Sequence, residues 1–306
     1  RAESIGDIKQ SETIFVFLDV LNHVEKRKSD FDPIIKNEKL TDLQESMKVN
    51  ISSYLEQFQT VTLKLSKSEG SEPGQVHHAT SASFLLFHRL LSFEQTVEDL
   101  LNTVFFKEST KKIKRTAKTC FGQFICNTLD KGTEKAIEQI ISHEKNKSLN
   151  LFFLINNHHY ILDKLQNEFS QHVSESYTSQ YEKLYKKNMD DFKEVVWGPV
   201  EQTVSDIDTI EQLKKGTKLT KKWRHAIKGR FKDFNSKFTT IMNQHVKFKV
   251  AHSRIGSELR SSAEEMICTK YEIFYKRYAD QPFSKKNKNK YLEYSPETVR
   301  DSIRQL

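Results

Sequence analysis

The sequence predicts an all-α fold, an elongated rod of stacked antiparallel helical bundles, on three observations. Apolar residues recur at steps of three and four over long stretches, the signature of helices with one buried stripe. Nine glycines and five prolines make up under 5% of 306 residues, where about 12% is average. That is too few for the turns of an all-β protein or for the glycine-rich phosphate turn of a Rossmann or P-loop enzyme. No segment alternates apolar and polar with period two for long enough to be a strand. Long helices with short links stack as antiparallel hairpins, and hairpins in series make a rod.

The elements follow in order. Leu43, Met47, Ile51, Tyr54, Phe58, Val61 and Leu65 form one stripe of a long helix. A turn-rich linker follows at 66–74, with Gly70, Pro73 and Gly74. Phe84, Phe87, Leu91, Val97, Leu101 and Val104 mark a second helix, and Ile113 to Ile141 a third, weakened by Gly122 and Gly132. Leu149 to Leu165 is compact and apolar. Tyr177 to Val196 reads as helix until Gly198-Pro199 stops it. Trp223, Ile227, Phe231, Phe234, Phe238, Ile241 and Phe248 share a face, as do Leu259, Ala263, Met266, Tyr271, Phe274 and Tyr278 after a short Ala-His-Ser break. Ser295 as N-cap, Pro296 at N1 and Glu297 in the first turn open a last short helix. The expected organisation is a helical bundle segment at 1–69, a middle bundle at 70–200 and a basic C-terminal bundle at 201–306.

Charge separates these segments. The net charge of +8 arises from 49 Lys and Arg against 41 Asp and Glu. Residues 1–200 carry 26 and 28, and residues 201–306 carry 23 and 13. Over 212–290 the count is 21 against 6. Such asymmetry points to a polyanionic partner. Charged residues are 29% and hydrophobic ones 36%, with a mean hydropathy of −0.66, while 21 Phe and 10 Tyr supply bulk for a core. No run approaches the roughly 20 apolar residues of a membrane span. Three cysteines, Cys120, Cys126 and Cys268, are too few for a disulfide framework and fit a reducing cytosol. The start at Arg1-Ala-Glu-Ser reads as a piece of a longer chain.

The chemistry-bearing motifs are few. There is no phosphate-cradling glycine loop, no His-Glu-x-x-His and no Cys-x-x-Cys. Adjacent helical residues point about 100° apart, so His77-His78 and His158-His159 read as caps or packing groups rather than metal ligands. No nucleophile–base set stands out. The chain is therefore expected to be no enzyme and to hold no cofactor and no metal. The Phe stripe at 231–248 is interleaved with Lys228, Arg230, Lys232, Lys237, Lys247 and Lys249. Basic residues among rings can form a nucleic-acid platform, but rings at helical spacing on one face read first as core. Asn156 and Asn157 sit inside an apolar run, where amides must be hydrogen-bonded, and they read as a clamp to a neighbouring helix. Lys285, Lys286, Lys288 and Lys290, flanked by Phe283 and Tyr291, form the best ligand-binding candidate, with Lys228, Arg230 and Lys232 as support.

Four segments together resemble the C-terminal part of the exocyst seventy-kilodalton subunit family. They are Gly74-Gln-Val-His-His-Ala-Thr80-Ser, Phe153-Leu-Ile-Asn-Asn-His-His-Tyr160-Ile, Ile227-Lys-Gly-Arg-Phe-Lys-Asp-Phe-Asn235, and Pro282-Phe283 followed by Lys290-Tyr-Leu-Glu-Tyr294-Ser-Pro-Glu297. The motif positions are thus Asn156, Asn157, Tyr160, Phe231, Phe234, Asn235, Tyr291 and Tyr294. Order and spacing hold over about 70–306. Glu293 stands where the family usually has a second basic residue. The resemblance implies the helical rod of vesicle-tethering subunits and a non-enzymatic exocyst role. It also implies a cytoplasmic protein, peripheral at the inner face of the plasma membrane, that binds phosphoinositides, other exocyst subunits and a Rho-type small GTPase. Nucleic acid is not an expected partner. The alternative is a basic helical scaffold that binds nucleic acid or an acidic protein.

Overall fold

The structure, a computed structural model, describes residues 2–27, 37–65, 75–105, 116–205, 219–245, 248 and 250–306. The linker at 66–74, the start of the Ile113 segment, Lys247 and Lys249 lie outside the described residues, as do the side chains of Val61, Leu65 and Val104. Among the described residues there are helices and no strand, only an isolated antiparallel bridge between Ala117 and Val173. The fold is all-α.

The helices are α1 (Ala2–Lys26), α2 (Asn37–Leu65), α3 (His78–Leu91), α4 (Glu94–Phe105), α5 (Cys120–Thr128), α6 (Glu134–His143), α7 (Lys147–Asn167), α8 (Glu175–Ser205), α9 (Lys221–His245), α10 (Ser253–Ala263), α11 (Thr269–Tyr278) and α12 (Pro296–Arg304). Wider π turns join α5 to α6 (Leu129–Thr133) and α10 to α11 (Glu264–Cys268). The second turn explains a slip in the apolar pattern. Met266 and Tyr271 are five apart, one residue more than an α-helical step, and a π turn absorbs the extra residue. Both side chains are buried.

Two expectations are corrected. The stripe from Phe84 to Leu101 belongs to two helices, because α3 ends at Leu91 and α4 begins at Glu94. Helix α8 does not stop at Gly198-Pro199 but runs on to Ser205. Proline removes one intrahelical donor. Against that, Val196, Trp197, Val200 and Val204 all lie in the core, and burying that face at about 1.5–3 kcal/mol per large side chain outweighs the lost bond. Lys237 Nζ also donates to the Pro199 carbonyl at 2.9 Å.

The chain divides into two compact units. One comprises Arg1–Ser71, Val76–His143 and His159–Lys183. Its core is an aromatic cluster in which Phe87 meets Phe124 and Phe169 edge-on, and Phe84 meets Tyr160 at 5.7 Å. Edge-to-face pairs of this kind add to plain burial. The N-terminus of α5 is tightly satisfied. Glu98 accepts from the backbone N–H groups of Cys120 and Phe121 at 2.7 and 2.8 Å, and Thr119 Oγ1 accepts from Gly122 N at 2.9 Å. A carboxylate at a helix start meets both the orphan donors and the positive end of the dipole.

The other unit comprises Glu72–Gln75, Glu144–His158 and Leu184–Leu306. Phe231, Phe234, Phe238, Tyr271, Phe274 and Phe283 fill its core. Phe234 stacks on Tyr271 at 3.9 Å and on Phe238 at 5.5 Å. Helix α12 begins as its sequence dictates, with Ser295 Oγ accepting from Thr298 N at 3.1 Å and proline in the first turn. Val299 and Ile303 enter the core, while Arg300 and Arg304 pair with Glu272 and Glu264 at 3.1 and 2.9 Å.

Asn156 has no exposed surface, and its Oδ1 accepts from Ala251 N at 3.1 Å, 95 residues away. Asn157 Nδ2 donates to the Phe153 carbonyl one turn back at 2.9 Å. Asn156→Leu therefore leaves a backbone N–H without its acceptor. It should cost about 1–3 kcal/mol, read as a lowered urea midpoint at unchanged slope. An unchanged or raised midpoint would show that Ala251 finds another partner.

Buried histidines, chiefly His77 and His245, should make stability pH-dependent. His77 caps α3, its Nδ1 accepting from Ala79 N at 3.2 Å. Burial, aided by the neighbouring His78, lowers its pKa to about 4. His245 lies among the rings of Phe192, Trp197 and Phe248, and burial lowers it likewise to about 4. Between the ordinary value of 6.5 and about 4, the unfolded chain takes up protons that the folded chain refuses. Stability should fall as the pH is lowered through that window, by up to about 1.4 kcal/mol per unit for each histidine. Above pH 6.5 these groups contribute no slope, and below 4 the slope levels off. Urea midpoints from about pH 7.5 to 4 measure this, and His245→Phe should flatten the dependence.

Candidate functional site

The candidate site is built where the loop after α11 returns to the start of α9. Phe283 has no exposed surface and stacks on Phe231 with ring centroids 5.5 Å apart. Tyr291 meets Phe283 edge-on at 6.0 Å. Three hydrogen bonds hold the far end of the loop. Asn235 Nδ2 donates to the Tyr291 carbonyl at 3.1 Å, Tyr271 Oη donates to the Tyr294 carbonyl at 2.7 Å, and the Thr239 and Tyr294 hydroxyls lie 2.7 Å apart. Between the anchors, Ser284 Oγ donates to the Lys286 carbonyl at 2.7 Å. Asn287 adopts φ 54, a left-handed conformation that asparagine tolerates better than most residues. It leads into a 3₁₀ turn at Lys288–Lys290.

The anchored loop and α9 enclose an open groove of about 830 Å³. Lys221, Lys222, Arg224, His225 and Lys228 line it from the helix, Lys285 and Lys286 from the loop, and Tyr291, backed by the buried Phe283, forms its aromatic floor. No carboxylate is among its described lining residues. Lys228 Nζ sits 5.6 Å from the Tyr291 ring centre, within reach of a cation–π attraction.

The helix start sharpens the electrostatics. The first turn of α9 contains no acidic residue, and Thr220 Oγ1 accepts from Trp223 N at 3.3 Å. A helix N-terminus carries about half a positive charge, so Lys221, Lys222 and Arg224 stand where cations are least welcome. Like charges on neighbouring helical positions cost a few tenths of a kcal/mol per pair. A bound polyanion removes both penalties, since helix N-termini and clustered Lys and Arg both favour phosphate oxygens.

Of the seven cations singled out by sequence, Lys228, Lys285 and Lys286 line the groove. Lys288 lies at its edge, with Nζ 5.6 Å from the Phe283 ring centre. Lys290 and Lys232 are exposed outside the lining, and Arg230 is half-buried outside it. Among the motif residues, Asn156, Asn157, Phe231, Phe234 and Asn235 are buried, while Tyr160, Tyr291 and Tyr294 are half-buried. The Phe stripe of α9 is core and offers no ring for stacking on a base. Sequence reasoning missed Lys221, Lys222, Arg224 and His225. The available signal was their i, i+3, i+4 and i+7 spacing up to Lys228, which places Lys221, Arg224, His225 and Lys228 along one face. His77 and His158 have structural roles: His77 caps α3, and His158 Nδ1 lies 2.7 Å from Asn188 Nδ2. No group of three His, Cys, Asp or Glu able to hold a metal occurs among the described residues. No described helix is long and apolar enough to cross a membrane.

Comparison with known proteins places the chain in a family. The family model for the C-terminal part of Exo70, one of the subunits of the exocyst complex, matches residues 2–305. Human exocyst complex component 7 is 25% identical over 307 residues, covering 96% of this chain and 41% of the relative. Exocyst complex component EXO70A3 of Arabidopsis thaliana is 22% identical, covering 95% and 49%. The chain thus spans less than half the length of these relatives. A Saccharomyces cerevisiae Exo70 structure superposes with a TM-score of 0.57 at 18% identity, over 96% of this chain and 58% of that one. At that identity the superposition speaks for the fold. The four motifs, the helical fold and a match across nearly the whole sequence agree that this chain belongs to the Exo70 family of exocyst subunits and corresponds to their C-terminal part.

Proposed function

We propose that the chain is the membrane-contacting part of an exocyst subunit that tethers secretory vesicles to the inner face of the plasma membrane, and that it holds phosphoinositide headgroups in the groove between α9 and the 283–291 loop. The observation that carries this reading is the convergence of six Lys and Arg side chains and one His on an aromatic floor with no carboxylate among the described lining residues. Headgroup phosphates concentrate several charges at one point, which suits a concave cluster better than a flat one. Attachment is electrostatic and peripheral, and the role is binding rather than catalysis. Other exocyst subunits and a Rho-type small GTPase complete the proposed partners.

The test compares neutral phosphatidylcholine vesicles carrying either a phosphoinositide bisphosphate or phosphatidylserine at equal total charge. Stronger co-sedimentation with the phosphoinositide is expected, and equal binding would reduce the reading to a general basic surface. Duplex and single-stranded nucleic acid at matched salt serve as competitors. Both interactions weaken with salt, so headgroup preference decides, and tighter binding to nucleic acid would favour the alternative scaffold.

A further inference from the structure

A second groove lies in the other unit, between α1, α2 and α4, and its chemistry is opposite. It has a volume of about 320 Å³. Leu21 and Leu100 line it and are 1% and 3% exposed, while Val49 stands in its wall 65% exposed. Acidic residues from all three helices surround this apolar surface: Glu25, Glu45, Glu56 and Asp99. Lys48 is the single cation among the described lining residues, and it pairs with Glu45 at 3.5 Å. Gln95 Nε2 donates to Asp99 Oδ1 at 3.1 Å. Glu25 and Glu56 have no ion-pair partner among the described residues.

An independent observation points to an occupant. Thr96 lines the groove, is 6% exposed, and its hydroxyl has no hydrogen-bond partner among the described residues. The neighbouring Ser52 shows the usual arrangement, its Oγ donating to the Lys48 carbonyl at 2.7 Å. The hydroxyl oxygen is not itself sealed from solvent, so it opens into the groove, where a polar group of an occupant can complete it.

The ligand class follows by elimination. A divalent cation needs several oxygens converging on one point, and no three acidic or imidazole groups among the described residues could hold a metal. A phosphate or a membrane surface is repelled by the acids. A segment with one or two bulky apolar side chains flanked by Lys or Arg satisfies floor and rim together, and an amphipathic helix presents such anchors at i and i+4. We infer that this groove takes a basic, amphipathic helical segment of a partner protein. Its apolar side chains pack on the exposed Val49, over the nearly closed Leu21 and Leu100, and its cations meet Glu25, Glu56 and Asp99. The inference is independent of the phosphoinositide reading, because the two grooves share no residue and differ in charge.

The test uses the whole 306-residue chain and a fluorescein-labelled synthetic helical peptide with leucines at i, i+4 and i+7 flanked by lysine and arginine. Fluorescence anisotropy should show binding, and amide hydrogen exchange should slow over 45–56 and 96–103. The double variant E25K/E56K should weaken binding at least about tenfold, and Val49→Asp should act similarly. These side chains are exposed, so melting curves should stay close to those of the parent. Thr96→Val should leave the fold intact and weaken the peptide alone. The inference is overturned if E25K/E56K and Val49→Asp bind as the parent does, or if protection appears elsewhere. It is equally overturned if a peptide with serine in place of leucine binds as well, or if the variants change only the chain's self-association in sedimentation.

Discussion

Gly122→Ala should destabilise the unit containing α5 by about 3 kcal/mol or more, at the upper end of what overpacking costs. A β-carbon at this position would lie 1.9 Å from the carbonyl oxygen of His172 and 2.7 Å from its carbon. Both atoms are backbone, so no rotamer change relieves the clash. The carbonyl is itself fixed. It accepts from Lys118 N at 2.7 Å, Ser174 N donates to Thr116 O at 3.0 Å, and Thr119 Oγ1 lies 3.2 Å from His172 Nδ1. On the other side, Glu98 holds the first two amides of α5. Any relaxation must therefore break either the short bridge or the helix cap. Gly229→Ala is the matched control. It lies within α9, and a β-carbon there meets nothing within 4 Å. It should raise stability by up to about 1 kcal/mol, the ordinary cost of glycine in a helix. Urea unfolding of both variants separates steric clash from helix propensity. An unchanged midpoint for Gly122→Ala would mean that the bridge gives way without cost.

What the sequence made legible divides by the range of the interaction. The start of α12 was readable because Ser295, Pro296 and Glu297 act on backbone groups within three residues. The π turn at 264–268 also left a mark, the five-residue step between Met266 and Tyr271. Pro199 was misread because its local effect is real but loses to the burial of Trp197, Val200 and Val204, which only the tertiary structure supplies. The break after Leu91 carries no glycine or proline, and nothing local announced it. Gly122 looked like a weak point in a helix, whereas its real constraint is a carbonyl about fifty residues away. The groove shows the same division. The loop lysines stood out as a run in sequence, but Lys221, Lys222 and Arg224 read as one charged helix face among several. They became a candidate site when the stacking of Phe283 on Phe231 brought the loop over the helix start.

That convergence gives the largest functional effect. The triple variant K228A/K285A/K286A should lower affinity for phosphoinositide vesicles roughly 100-fold at low salt, since each lysine near an anionic surface contributes about 1 kcal/mol. The triple variant K232A/K288A/K290A removes the same charge from the same third of the chain but from outside the groove lining. It should lower affinity less than about tenfold. Its lysines act only through the general field, which decays over about 10 Å at 0.1 M salt. Its one closer contact is Lys288 with the Phe283 ring, and that attraction amounts to about 0.5–1 kcal/mol at an exposed site. Circular dichroism should be unchanged in both, because none of the six ammonium groups is in a described ion pair. Equal losses would mean that the surface acts as spread charge, and a larger loss outside the groove would move the contact to the tip of the loop. A groove that concentrates field on a headgroup predicts the asymmetry at constant net charge, and no argument from composition predicts it.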